Sequence, residues 1–575
     1  MPLTWSFHPD RTQLQERLSH SLSISSLTAA ILVNRGIDGE EEARAFLESS
    51  TASLSDPFLM SQMEPAVDRI VHALRKREPI LVYGDSDVDG VCGTALLAGF
   101  LRLAGGNVTT YIPSRLDEGY SLTDQGVAEI LDQNVNVLIT VDNGTTALEH
   151  VSELTGRGVD VIITDHHEPS EELPDALALL NPKWSGCGYP FRHLCGTGVA
   201  FQLLSALASR LPAKASTQDA ILDLARHSIA FAAMATICDC VPLIGENRIL
   251  ARTGLIALSN ANHPGIKALL KIASCSRDVQ SDDISFRLGP RINAAGRMGV
   301  ADRALQLMLT QDEQEARQLA NELDSRNSER QQLEAKIVAS ARQQVLESNS
   351  ADDPIIVLAD QNWHAGVVGI VAARLMTEFQ KPAVLIALSG DRGRGSGRSV
   401  PHFDLHQALS RCAEHLVAFG GHAAAAGLEI RADQVAPFRE ALLLEARKNQ
   451  GPVPDPRILI DAEIPLGLLT PSLMSELNRL APFGEGLPPP VLVATDLSLS
   501  GAPRQVGKNQ SHLSFTVSQG SVTRKAIAFG MAHCADRLRA AGSLSLAFTP
   551  RLNLFRGQAS VDLDIRDIHT NEETA

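Results

Sequence analysis

The sequence predicts an α/β protein: two α/β units joined by a long helix, then a strand-rich C-terminal segment. Three observations predict it. Between residues 66 and 305, short apolar runs alternate with helical patterns, as in a parallel sheet covered by helices. Residues 311–347 are dominated by Gln, Glu, Arg and Asn. They keep a narrow apolar stripe (Leu319, Leu323, Leu333, Ile337, Val338, Ala341, Val345), which reads as one long, largely exposed helix. After residue 456, short β-type runs such as Leu513–Val517 and Leu544–Phe548 take over.

At 575 residues the chain is long enough for several domains. Its hydrophobic share of 44% and charged share of 21% are those of a globular protein. A net charge of −16 excludes a polyelectrolyte that coats nucleic acid nonspecifically. It leaves room for a nuclease, whose clustered metal ligands add acidity while a local basic channel carries the phosphate contacts. The eight cysteines show no CxxC pair and no zinc spacing. Cys238 and Cys240 flank Asp239, which leaves a redox or metal role open beside the reading as small buried thiols. The N-terminal stretch has no uninterrupted apolar h-region, and no run reaches ~18 apolar residues, so we expect no membrane span and a reducing cytoplasm.

Residues 1–65 read as a helical extension. Ser26–Arg35 is helix-like, and Asp38-Gly39-Glu40-Glu41-Glu42 opens another helix with acids where its dipole favours them. Ile80–Val82 is then a buried strand, closed by Gly84 and followed by the turn Asp85-Ser86-Asp87-Val88-Asp89-Gly90. Taken alone, that turn reads equally as an acidic helix cap or as a metal site. Carboxylates this close stay ionised together only around a cation or in full solvent. Val137–Val141 ends in Asp142-Asn143-Gly144, and Val161–Thr164 ends in Asp165-His166-His167. The helix Ala220–Ile237 delivers Asp239. Open α/β sheets bind ligands at the carboxyl ends of their strands. Three strand ends finishing in ligand-type residues favour a metal, and carboxylates with imidazole suit Mn²⁺ or Mg²⁺.

In the second unit, Ile355–Leu358 and Ala383–Leu388 are strands and Val367–Phe379 is a helix. The run Arg392-Gly393-Arg394-Gly395-Ser396-Gly397-Arg398-Ser399 reads as a basic glycine-rich loop. Small residues there admit phosphate to the backbone and arginines supply charged contacts. Alone, it is a flexible loop. His422 follows two glycines and is either structural or substrate-facing.

The order of these stretches carries a resemblance. Asp85 to Gly90, Val141-Asp142-Asn143-Gly144 and Asp165-His166-His167 are joined by Pro113-Ser114-Arg115 with Glu118-Gly119-Tyr120, and by Asp239-Cys240-Val241-Pro242. Leu288 to Arg297, Trp363 to Val371, Gly395 to Ser399 and Phe419-Gly420-Gly421-His422 complete the set. Together they resemble the RecJ-type exonucleases of the DHH/DHHA1 phosphoesterase superfamily.

The resemblance implies a DHH catalytic domain over 66–305, a connecting helix over 306–350 and a DHHA1 substrate-binding domain over 351–452. It also implies a C-terminal OB-fold β-barrel over 456–570 that binds single strands. The expected activity is two-metal, 5′→3′ hydrolysis of single-stranded DNA with Mn²⁺ or Mg²⁺, serving repair and recombination. The expected setting is a cytoplasmic monomer working with single-strand binding protein and a RecQ-like helicase. The implied ligands are Asp87, Asp89, Asp142, His166 and Asp239, with Asp142 bridging. Asp85 either holds a metal through water or orients a ligand. His167 faces the phosphate, while Arg115, Arg291 or Arg297 neutralises the developing oxyanion. Arg115, Ser396, Arg398 and His422 contact substrate. Phe555 beside Arg551 and Arg556 is the candidate stacking platform. Two alternatives accompany this reading: a DHH enzyme for oligoribonucleotides or cyclic dinucleotides, and a catalytically silent DHH scaffold. Ser86 replaces the usual aromatic of the first acidic turn, and Leu487 replaces the usual Asn after Pro-Phe-Gly-x-Gly.

Overall fold

The computed structural model describes residues 3–570 apart from 117, 120, 212–217, 277, 348–351, 449–456 and 556–557. Its contacts divide the chain into two units. The larger comprises Ser55–Asp239 and Gly254–Val453; the smaller comprises Met1–Leu54, Cys240–Thr253 and Pro454–Ala575.

The larger unit opens on a parallel sheet in the order Asn107–Tyr111, Pro79–Gly84, Val137–Val141, Asp160–Thr164, Ala178–Leu180. The runs Leu81–Val82, Val137–Val141 and Val161–Ile163 are buried on both faces, which is why they are continuously apolar. Register places Gly84 beside Val141 and Val141 beside Thr164. The next backbone amides extend the ladder: Asp85 N–H donates to the Val141 carbonyl (3.3 Å), Asp142 to Thr164 (2.9 Å) and Asp165 to Leu180 (3.1 Å). Three acids therefore leave the sheet side by side at its carboxyl edge.

The connecting helix runs Glu313–Glu347, 35 residues and about 52 Å at 1.5 Å per residue. It is not exposed along its whole middle, because Asn327, Arg330 and Glu334 are buried. The second sheet has the order Leu416–His422, Ala425–Arg431, Arg392–Arg398, Ala383–Ser389, Ile356–Asp360. The glycine-rich run expected as a loop is its middle strand. A Cβ at Gly393 would lie 2.8 Å from Ile386, one at Gly395 2.8 Å from Leu428, and one at Gly397 2.6 Å from Leu405. Alternate glycines thus let the neighbouring side chains close over the strand. Arg392, Arg394, Ser396 and Arg398 occupy the other face, as a period of two requires.

In the smaller unit, the strands Leu492–Leu499, Leu544–Phe555, Gln558–Thr570, Val522–Ala528 and His512–Gln519 pair in succession. The last pairs again with the first through Ser498–Ser518 and Leu499–Val517. The N-terminal helices Thr12–Leu22, Ser26–Asn34 and Glu40–Glu48 bury Leu18, Ile31, Leu32 and Leu47 in one core with Leu492, Leu546 and Phe548. The extension is also not wholly helical: Thr4–Phe7 pairs in parallel with Arg457–Ile460.

Arg248 ties this unit together. It is 2% exposed, lies 3.7 Å over the Phe46 ring, and donates to the carbonyls of Phe46, Arg479, Leu480 and Ala481 at 2.8–3.1 Å. Unpaired buried carbonyls cost about 1–3 kcal/mol each, so Arg248→Met should destabilise the protein by about 3 kcal/mol or more. Chemical denaturation checks this; a variant indistinguishable from wild type contradicts it.

None of the eight cysteines is in a disulfide; Cys92, Cys187, Cys195, Cys412 and Cys534 are buried, whereas Cys240 is exposed. Among the described residues, no helix is long and apolar enough to cross a membrane.

Candidate metal centre and the facing arginines

The first acidic turn is both a cap and a cluster. Asp87 Oδ1 accepts the amides of Asp89 (2.9 Å) and Gly90 (3.2 Å), capping the helix Val88–Leu103. A Cβ on Gly90 would sit 2.3 Å from the Asp85 backbone, so only glycine lets the turn close. The helix Gly289–Arg297 braces it: Asn293 Oδ1 accepts the Val88 amide at 3.0 Å, and Gly296 abuts the Ser86 carbonyl. Ser86 is buried against Gly296, within a space that suits a small side chain.

Asp89 is held by a helix N-terminus. Its Oδ2 accepts the Gly196 amide and its Oδ1 the Thr197 amide, both at 2.7 Å. Gly196 is again required, because its Cβ would fall 2.6 Å from Asp142 Cβ. Asp142 itself has φ +63, a left-handed conformation that Asp tolerates better than most residues.

Around His166 the groups converge. Its Nε2 lies 3.1 Å from Asp142 Oδ1, 3.5 Å from Asp239 Oδ2 and 3.8 Å from Asp89 Oδ2. Three sets of possible ligand atoms each fall within 4.8 Å: Asp142, His166 and His167; Asp89, His166 and Asp239; Asp85, Asp87 and Asp142. Asp142 and His166 each belong to two sets. Asp85 Oδ1, Asp142 Oδ1 and both nitrogens of His166 are buried without a hydrogen-bond partner. Burial, then the neighbouring carboxylates, push the Asp142 pKa far above its ordinary value and that of Asp239 up to about 9. Burial and Asp87 raise Asp85 to about 6. Divalent cations would relieve the repulsion and give the orphaned oxygens and nitrogens a partner, and oxygen ligands with imidazole fit Mn²⁺ or Mg²⁺.

Asp165 organises the two histidines, a role the sequence reading left unassigned. Its Oδ1 accepts the amides of His166 (2.7 Å) and His167 (3.2 Å), while its Oδ2 accepts the Thr145 amide at 2.9 Å. His167 Nδ1 lies 2.7 Å from Asp165 Oδ1. Burial works against ionisation, but the bond to His167 holds Asp165 far below the usual carboxylate range. In return, and also against burial, His167 is raised to about 9. His167 is exposed toward solvent.

Three arginines gather beside the acids. Arg297 Nη1 donates to the Gly366 carbonyl at 3.2 Å. Burial, then Arg115 and Arg398, depress its pKa to about 10, and burial with Arg115 also lowers Arg398. Arg115 acts on Asp85 as well, bridging the cationic and acidic groups. Its loop is tied to the glycine strand where Arg394 donates to the Leu116 carbonyl. Arg398 Nη1 donates to Ser396 Oγ at 3.1 Å, and Gly369 leaves room for both, since its Cβ would lie 2.8 Å from that oxygen. His422 is exposed, in one cross-strand row with Ala425 and Arg398.

Arg291 is placed differently from Arg297. It pairs with Asp324 at 2.9 Å and donates to the Arg287 carbonyl at 2.6 Å, a structural engagement. Tyr120 and Arg556 lie outside the described residues, as does the side chain of Phe555. Arg551 pairs with the buried Asp564 at 3.0 Å. An exposed aromatic beside the C-terminal strands is Phe529, in the turn after Val522–Ala528, edge-on to His512 at 5.2 Å.

An acidic and imidazole cluster at the carboxyl edge of a parallel sheet, faced by arginines, defines a phosphoesterase of the DHH class. Residues 79–229 match the DHH family N-terminal domain, 352–448 the DHHA1 domain and 460–567 the RecJ OB domain. The chain belongs to the RecJ family. It is 36% identical to the single-stranded-DNA-specific exonuclease RecJ of Bacillus subtilis, over 98% of this chain and 70% of that protein. With the Dickeya dadantii protein of the same name it shares 33% identity, over 95% and 96% of the respective lengths. The crystal structure of Thermus thermophilus RecJ in complex with Mn²⁺ superposes with a TM-score of 0.82 at 28% identity, covering 99% of this chain and 79% of that one. A Mg²⁺ complex of that protein also matches, with a TM-score of 0.74 at 26% identity, over 99% and 78% of the two chains.

Proposed function

We propose that this chain is a single-strand-specific DNA exonuclease that removes nucleotides from the 5′ end. One observation carries the reading: an acidic and imidazole cluster faces three arginines within a single unit, a pairing suited to a phosphodiester. Asp87, Asp89, Asp142, His166 and Asp239 would hold the divalent ions, with Asp142 common to both and Asp85 supporting. When bound, Mn²⁺ or Mg²⁺ supplies an activated water and offsets charge on the phosphoryl oxygens. The chain's own residues do the rest. Asp165 keeps His167 protonated, so its free nitrogen donates to the phosphate. Arg115 and Arg297 take the developing negative charge, and Ser396, Arg398 and His422 receive the terminal phosphate.

Such an enzyme works in repair and recombination, as a cytoplasmic monomer, where a RecQ-like helicase opens duplexes and a single-strand binding protein coats the product. The test is a panel of labelled single-stranded DNA, duplex DNA, RNA and cyclic dinucleotides with Mn²⁺. Preferential cleavage of single-stranded DNA is expected. Faster turnover of cyclic dinucleotides would favour the short-substrate alternative.

The C-terminal strands add affinity for longer DNA. Phe529 is 54% exposed and offers a stacking face. Stacking one base is worth ~1–3 kcal/mol, so Phe529→Ala should raise KM for a long strand about fivefold or more. The kcat on a short strand should change little. Equal losses in both parameters on both lengths would contradict the assignment.

A further inference from the structure

The connecting helix changes character where the two sheets' helices meet it. On either side of its middle it buries Leu319, Leu323, Ile337, Val338 and Ala341. Between them it buries Asn327, Arg330 and Glu334 instead. Arg330 Nη1 lies 2.6 Å from Glu334 Oε2, and its Nη2 donates to Asn327 Oδ1 at 2.9 Å. Glu334 Oε1 is 2.5 Å from Arg374 Nε of the helix Ala365–Phe379. A buried ionic set of this kind is seldom more stabilising than apolar packing; what it gives is geometry.

That geometry surrounds Arg297. The helix Gly289–Arg297 is pinned to the connecting helix by Arg291 and Asp324 at 2.9 Å. The helix Ala365–Phe379 is pinned to it by Arg374 and Glu334. Those two helices meet where Arg297 donates to the Gly366 carbonyl. The same Ala365–Phe379 helix carries Gly369, the contact for Ser396 and Arg398. Three helices are thus joined pairwise by polar links, with the proposed phosphate grip at their junction. Arg330 is also close enough to Arg297 to add to the repulsion among its neighbours.

We propose that Arg330 is a positioning residue: braced by Asn327 and Glu334, it sets, through the helix Ala365–Phe379, where Arg398 meets the terminal phosphate of the strand. The proposal rests on the reading of Arg398 as a phosphate ligand. Lysine at this position keeps the charge but loses the planar fork that engages Asn327 and Glu334 together.

The test compares 5′-phosphorylated with 5′-hydroxyl single strands, by initial rates with Mn²⁺ and by fluorescence anisotropy in EDTA. Arg330→Lys should raise KM and Kd for the phosphorylated strand about tenfold, since ångström-scale misplacement is costly. The hydroxyl strand should stay within about twofold, because the lost contact is to the phosphate. Added to Arg398→Ala, it should cause no further loss on the phosphorylated strand, because it acts through that residue. Equal losses on both strands, or additive losses in the double variant, overturn the proposal. Glu334→Gln serves as the second variant if Arg330→Lys does not fold. If Arg398→Ala spares the phosphorylated strand, the phosphate-grip reading falls and this proposal with it. If Arg398→Ala behaves as read and Arg330→Lys is silent, only this proposal falls.

Discussion

Asp142→Asn abolishes cleavage while the protein stays folded. Asp142 belongs to two of the three possible ligand sets, so its loss disturbs both ion positions rather than one. The expected fall in kcat is about 10³-fold or more, the scale seen when a group central to catalysis is removed. Asparagine is the better probe than alanine, because the residue sits at φ +63 and Asn tolerates that backbone. Stability without metal should hold or rise. The wild-type carboxylate is buried among Asp85, Asp87, Asp89 and Asp239, and removing one charge relieves repulsion. Titration with Mn²⁺ and a melting curve check both halves. Activity within about tenfold of wild type at saturating Mn²⁺ would sink the shared-ligand role.

Arg398→Ala should separate recognition from chemistry. Its guanidinium sits beside Ser396 Oγ and is repelled by Arg115, an arrangement stabilised when an anion enters between them. Charge-assisted bidentate contacts are the strongest hydrogen bonds available to a phosphate. Losing one should therefore cost about 10²-fold in kcat/KM on a 5′-phosphorylated strand and far less on a 5′-hydroxyl strand. Initial rates on the two substrates decide it, and an equal loss on both refutes the pocket.

The acidic site was legible because each turn that carries ligand-type residues closely follows an apolar run, a local signal. Other features had weaker local signals or none. The strand Arg392–Arg398 was missed because glycine disfavours strands, although its glycines recur with a strict period of two. Arg291 and Arg297 share one motif and look equivalent in sequence. Six residues apart on a helix they point about 120° apart, and only Arg297 faces the other arginines. The buried middle of the connecting helix reads as solvated because its residues are polar; the partners that bury it lie on other helices. The joint core of the N-terminal helices and the C-terminal strands joins residues more than 400 positions apart, with no local signature. It also changes the meaning of truncation: a chain ending near residue 455 would strip Leu18, Ile31 and Leu32 of their cover, so point substitutions such as Phe529→Ala are the cleaner probes.

The most direct test of the central claim follows product release from a 5′-phosphorylated single strand with Mn²⁺, labelled at one end or the other. The account predicts that the 5′ label leaves at once as mononucleotide while the 3′ label stays on progressively shorter strands. Release of the 3′ label first, or internal fragments from the start, would contradict it.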